Sequence, residues 1–102
     1  PADGATMNER RRVATYGQMS VAVAIDRNNR LVGVPRVGLQ GIPVEEDRDD
    51  FIADATDAAR RAYDPGGAED AVRESVRLAV RRCATLWTGK KPLVEVMMLQ
   101  VA

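Results

Sequence analysis

From Met19 to Ile25 the chain alternates, with Val21, Val23 and Ile25 on one side and Ser20, Ala22 and Ala24 on the other. A period of two carried by β-branched residues predicts a strand. Arg27-Asn28-Asn29-Arg30 follows, and asparagine tolerates positive φ, which suits a hairpin turn. Leu31 to Leu39 predicts the returning strand, with Gly33 and Pro35 implying a bulge or an edge position. Gly41 and Pro43 end it.

The period then changes. Asp47, with Asp50 three residues on, marks a helix start, where acids meet the positive dipole end. Phe51, Ala55, Ala58, Ala59 and Ala62 fall on one helical face, and Asp64-Pro65-Gly66-Gly67 stops the helix. A second helix is expected from Ala68 to Thr88, with Val72, Val76, Ala79, Cys83, Leu86 and Trp87 as its buried stripe. Gly89 and Pro92 close it. Leu93 to Val101 is apolar at almost every position, which predicts a strand buried on both faces.

The element order is therefore ββααβ. It implies an α+β fold, a two-layer sandwich in which a three-stranded sheet packs against two helices. The short loop between the helices makes them antiparallel neighbours. Residues 1–18 read as a largely disordered linker remnant and residues 19–102 as the domain.

Composition removes most catalytic readings. The chain has 102 residues, enough for one core that buries roughly two thirds of its unfolded surface. It contains no histidine, so the usual general base and the commonest metal ligand are both missing. One cysteine permits neither an internal disulfide nor a zinc cluster. No apolar run is long enough to span a membrane, and the polar start Pro1 to Asn8 has no apolar signal core, so a cytoplasmic chain is expected.

Net charge is zero, from 15 basic and 15 acidic residues, but the charges are segregated. Seven acids (Glu45, Glu46, Asp47, Asp49, Asp50, Asp54, Asp57) lie between Glu45 and Asp57 against Arg48 alone. Five bases (Arg77, Arg81, Arg82, Lys90, Lys91) lie between Arg77 and Lys91 with no acid among them. These five are the candidate phosphate contacts for a polyanion, with solvated surface or internal pairing as the plainer alternatives. Tyr16, Phe51, Tyr63 and Trp87 are too few for a base-stacking platform.

Other motifs resolve into structure. Thr88-Gly89-Lys90-Lys91 lacks the earlier glycine and the hydroxyl residue of a phosphate loop and precedes a strand, so it reads as a helix C-cap. Asp54 and Asp57 suit a solvated acidic face better than a metal, which needs more oxygens around a turn. Cys83 has no histidine to activate it and reads as a small buried hydrophobe. No catalytic, cofactor or metal residue is assigned. Met97, Met98, Leu99 and Val101 are the exception, because helices can cover only one face of the sheet. They are the candidate self-association residues, by face packing or strand pairing.

Three stretches carry a resemblance. Val21-Ala22-Val23-Ala24-Ile25-Asp26, with Leu31-Val32-Gly33-Val34-Pro35 and Leu39-Gln40-Gly41, resembles the opening of the C-terminal domain of bacterial ribonuclease J. Leu78-Ala79-Val80-Arg81-Arg82 and Leu86 to Val96 resemble its close, with an extra Thr88 in the Trp-Gly-Lys-Lys-Pro turn. Glu9-Arg10-Arg11-Arg12-Val13-Ala14 and Tyr16-Gly17 resemble the linker that feeds it, whereas Glu45 to Asp57 matches weakly. The resemblance implies a fragment of a metallo-β-lactamase-fold RNA-processing hydrolase with exo- and endonuclease action. It implies zinc or manganese in the parent enzyme, held by histidines and aspartates in motifs this histidine-free chain lacks, and a non-catalytic domain that supports oligomer assembly and activity. Expected partners are a second copy, as a homodimer or higher oligomer, and the parent's catalytic domain. The alternative is RNA contact, with Arg77, Arg81, Arg82, Lys90 and Lys91 as the candidate RNA contacts, or another protein docking on the acidic helix; no membrane is expected.

Overall fold

In the computed structural model, residues 17–101 are described. They form β1 (Gln18–Ile25), β2 (Arg36–Gln40), α1 (Arg48–Ala62), α2 (Glu69–Thr88) and β3 (Leu93–Gln100). The ββααβ order and the α+β two-layer architecture are those the hydrophobic pattern implies. Most of the expected linker lies outside the described residues. Its last two positions, however, belong to the fold: Gly17 is buried and Gln18 opens β1.

β1 is the central strand, in the order β2-β1-β3. It pairs antiparallel with β2, setting Met19 beside Leu39 and Val21 beside Val37. It pairs parallel with β3, setting Met19 beside Val94, Val21 beside Val96 and Val23 beside Met98. Because side chains alternate, this register gathers every one of these residues on a single face, under the helices. The other face carries Ser20, Ala22, Ala24, Glu95, Met97 and Leu99, and no helix of the described residues packs over it.

The turn after β1 is built by Asp26, whose carboxylate accepts from the N–H groups of Asn28 (2.8 Å) and Arg30 (3.0 Å). Asn29 takes the left-handed conformation, φ 61°, as its amide side chain allows. The returning strand is shorter than expected. Leu31 makes only an isolated bridge to Ile25, and regular pairing resumes at Arg36, after Gly33 (φ 70°) and Pro35. A glycine bend and a missing N–H interrupt the ladder at those positions.

α1 starts after Asp47 with Asp49 and Asp50 in its first turn, but Asp47 makes no side-chain cap. Phe51, Ala55 and Ala59 are its buried residues. α2 ends at Gly89, which adopts the left-handed C-cap conformation (φ 74°) and donates its N–H to Thr85. The helices run antiparallel: Trp87, near the end of α2, meets Asp54 and Phe51 of α1, while Ser75 donates to Ala62. The buried stripe of α2 is Val72, Val76, Val80, Cys83 and Ala84. The expected stripe is corrected at its C-terminal half, where Leu86 is 88% exposed and Trp87 lies at the rim. Antiparallel α1 and the sheet together set the rotation of α2, and they select Val80 and Ala84 rather than Leu86.

The core is small and apolar. Phe51, Met19, Val21, Val23, Val76 and Val80 are its largest fully buried aliphatic and aromatic side chains, and no described polar or charged residue is buried. Burial of each such side chain contributes roughly 1.5–3 kcal/mol, so a handful of contacts carries the domain.

Candidate interaction surfaces

The sheet offers one surface. On its open face Met97 (53% exposed) and Leu99 (54%) stand beside Ala22 and Ala24 of β1, joined by Val32 and Val34 from the irregular segment before β2. A shallow depression of about 710 Å³ runs from Ala22, Ala24 and Leu99 past Val32 and Val34 to Ile52 and Thr56 of α1. Among the described residues β3 is also an edge strand, so the backbone groups on its outer side have no sheet neighbour there. The expectation that this strand is buried on both faces is corrected: in this chain its second face is open. The four self-association candidates separate accordingly. Met97 and Leu99 face outward, Met98 is half-buried against the core, and Val101 follows the strand with its N–H on the Ile25 carbonyl (2.8 Å).

The basic end of α2 offers a second surface, and the five candidate RNA contacts do not act there as one group. Arg77 is engaged by Glu74 through two bonds, at 2.8 and 2.5 Å. That guanidinium holds the Glu74 carboxyl below its ordinary range. Arg81, Arg82 and Lys91 instead border a groove of about 400 Å³ whose remaining walls are Leu78, Thr85 and Leu86. Lys90 is not among its lining residues. The main chain of Lys90 closes the helix end, its N–H donating to the Thr88 hydroxyl and its carbonyl accepting from Thr85. Sequence reasoning found the bases here but missed the leucines, because Leu86 had been placed in the core.

Nothing in the helix pair assembles a reactive centre. Asp54 accepts the Trp87 indole N–H at 2.9 Å and lies 3.9 Å from the Cys83 thiol. Burial, followed by the Asp54 charge, pushes that thiol up to about 11, so it stays protonated and unreactive. Asp57 is paired with Arg60 and Arg61, and the Arg60 hydrogen bond is the main reason its carboxyl is held below the usual range. The two carboxylates thus have separate structural duties. The Asp54–Trp87 bond was not foreseen; the 33-residue separation left no local signal for it.

A zinc or manganese site does not fit these residues. The chain has no histidine, and among the described residues no three acids or cysteines are placed to hold a metal ion. Among the same residues, no helix is long and apolar enough to cross a membrane.

Comparison with known proteins agrees with this geometry. The family model described as the ribonuclease J C-terminal domain matches residues 5–101. A protein named ribonuclease J from Sinorhizobium meliloti is 32% identical over 101 residues, covering 93% of this chain. The chain spans 18% of that relative's length. A match spanning residues 5–101, and so every described element, shows that this chain belongs to the ribonuclease J C-terminal domain family.

Proposed function

We propose that the domain is the non-catalytic assembly unit of a cytoplasmic ribonuclease J, an enzyme of RNA processing and decay. A second copy covers the open face of the sheet, as a homodimer or part of a higher oligomer. The observation that carries this reading is the half-exposed pair Met97 and Leu99 beside Ala22, Ala24, Val32 and Val34. Contiguous apolar surface of this kind, at an unpaired strand edge, favours association with a like surface. The catalytic work, and any zinc or manganese it uses, then resides in the parent polypeptide, where the domain supports activity by holding subunits together.

Light scattering over a concentration series tests this directly. The wild-type chain is expected to self-associate, and Met97→Glu or Leu99→Glu to shift it to monomer while leaving the circular dichroism spectrum unchanged. A wild-type chain that remains monomeric to millimolar concentration would overturn the assembly role.

A further inference from the structure

We propose that the groove on the outer face of α2 is a docking site for an acidic peptide segment with apolar anchors, supplied by a separate partner protein. This surface is independent of the sheet face.

The groove is unlike the rest of its helix. Leu78 and Leu86 stand two helical turns apart, about 12 Å at 1.5 Å per residue. They lie away from the stripe of Val72, Val76, Val80, Cys83 and Ala84 that the core already occupies. Leu86 is 88% exposed and Leu78 38%. These leucines therefore form a second apolar row that the domain's own core does not use.

The charges follow the same division. Upstream on α2, Arg73 is paired with Glu69 and Asp70, and Arg77 with Glu74. On α1, Arg60 and Arg61 are paired with Asp57. Arg81, Arg82 and Lys91 make no ion pair with a carboxylate of the described residues, and all three border the groove with the leucines. A volume of about 400 Å³ admits apolar side chains rather than a single ion.

Charge complementarity selects an acidic occupant, and the exposed leucines select a polypeptide. An amphipathic helix laid in a groove presents anchors at three- and four-residue spacing, which matches a wall built from positions 78, 82 and 86. Carboxylates flanking those anchors would reach the three cations, steering the encounter and fixing register. RNA would satisfy the cations but leave the leucines uncovered, and no aromatic side chain lines the groove for a base to stack on.

The test uses a fluorescein-labelled helical peptide of about 14 residues, with leucines at alternating three- and four-residue spacing and glutamate elsewhere. Its partners in the experiment are the 102-residue chain and its Leu86→Ser and Arg81→Glu/Arg82→Glu variants. The peptide is expected to bind the wild-type chain. Each variant should weaken binding by about tenfold or more, roughly the 1.4 kcal/mol expected from losing one anchor. A peptide with lysine in place of glutamate should not bind. Because Leu86 is exposed, Leu86→Ser should retain the wild-type circular dichroism, melting temperature and sheet-mediated self-association.

Four results would each overturn the proposal. One is failure of the acidic peptide to bind at millimolar concentration. Another is binding that both variants retain in full. The third is preferential binding of a single-stranded oligouridylate, lost in the charge variant but unchanged in Leu86→Ser, which would assign the groove to RNA. Loss of self-association in Leu86→Ser would likewise assign it to a second copy.

Discussion

Cys83 shows how neighbouring side chains decide a residue's chemistry. Its thiol is buried beside the Asp54 carboxylate, and both burial and that charge oppose the thiolate. Alkylation by iodoacetamide at pH 8 is therefore expected to be negligible in the folded chain and rapid in denaturant, measured by mass spectrometry. The sign for stability follows. The folded thiol, at about 11, lies above the ordinary value of 9.0, so the protonated form favours the fold. Its contribution is complete below pH 9 and is lost as pH rises through about 11. Labelling of the native chain at neutral pH, at the rate of the denatured chain, would contradict this environment.

Among the elements, β3 separates packing from association within two adjacent residues. Met98 lies beside Val23 on the helix-covered face, while Met97 lies beside Ala22 on the open one. Met98→Glu places a charge against the core and should lower stability by several kcal/mol, or abolish folding, as an unpaired buried charge does. Met97→Glu should leave the urea midpoint within about 0.5 kcal/mol of wild type under conditions where the chain is monomeric. Equal destabilisation by the two substitutions would mean that the register of β3 is not the one described. In α2 the same distinction separates Val80, fully buried, from Leu86, fully outside the core.

For the whole molecule, the absence of histidine bears on both stability and activity. Among the described residues the core is wholly apolar and no group of metal ligands is present, so no metal linkage to stability is expected. Chelation with EDTA is expected to leave the melting temperature unchanged. The purified chain is also expected to release no product from single-stranded RNA, with or without manganese. A melting temperature that falls on chelation, or cleavage that a substitution within this chain abolishes, would refute that expectation. The charge segregation noted in the sequence is real at this scale but is partly neutralised locally. Asp57 and Glu74 are held by arginines of their own helices, so the basic pole narrows to the groove of Arg81, Arg82 and Lys91.

The sequence alone determined the five elements and their order, because periodicity and chain-breaking residues are local properties. The alternation of Met19–Ile25, the stop at Asp64-Pro65-Gly66-Gly67 and the cap at Gly89 each act within a few residues. The resemblance carried by Leu86 to Val96 was equally legible, since it depends on order along the chain. Tertiary structure decided everything that rests on two distant segments meeting. It placed β1 between β2 and β3, turned Met98 inward and Met97 outward, and joined Trp87 to Asp54. It also rotated α2 so that Val80 entered the core and Leu86 did not. Leucine and valine are equally apolar in a helical pattern, and only the surface packed against the helix determines which of them is buried.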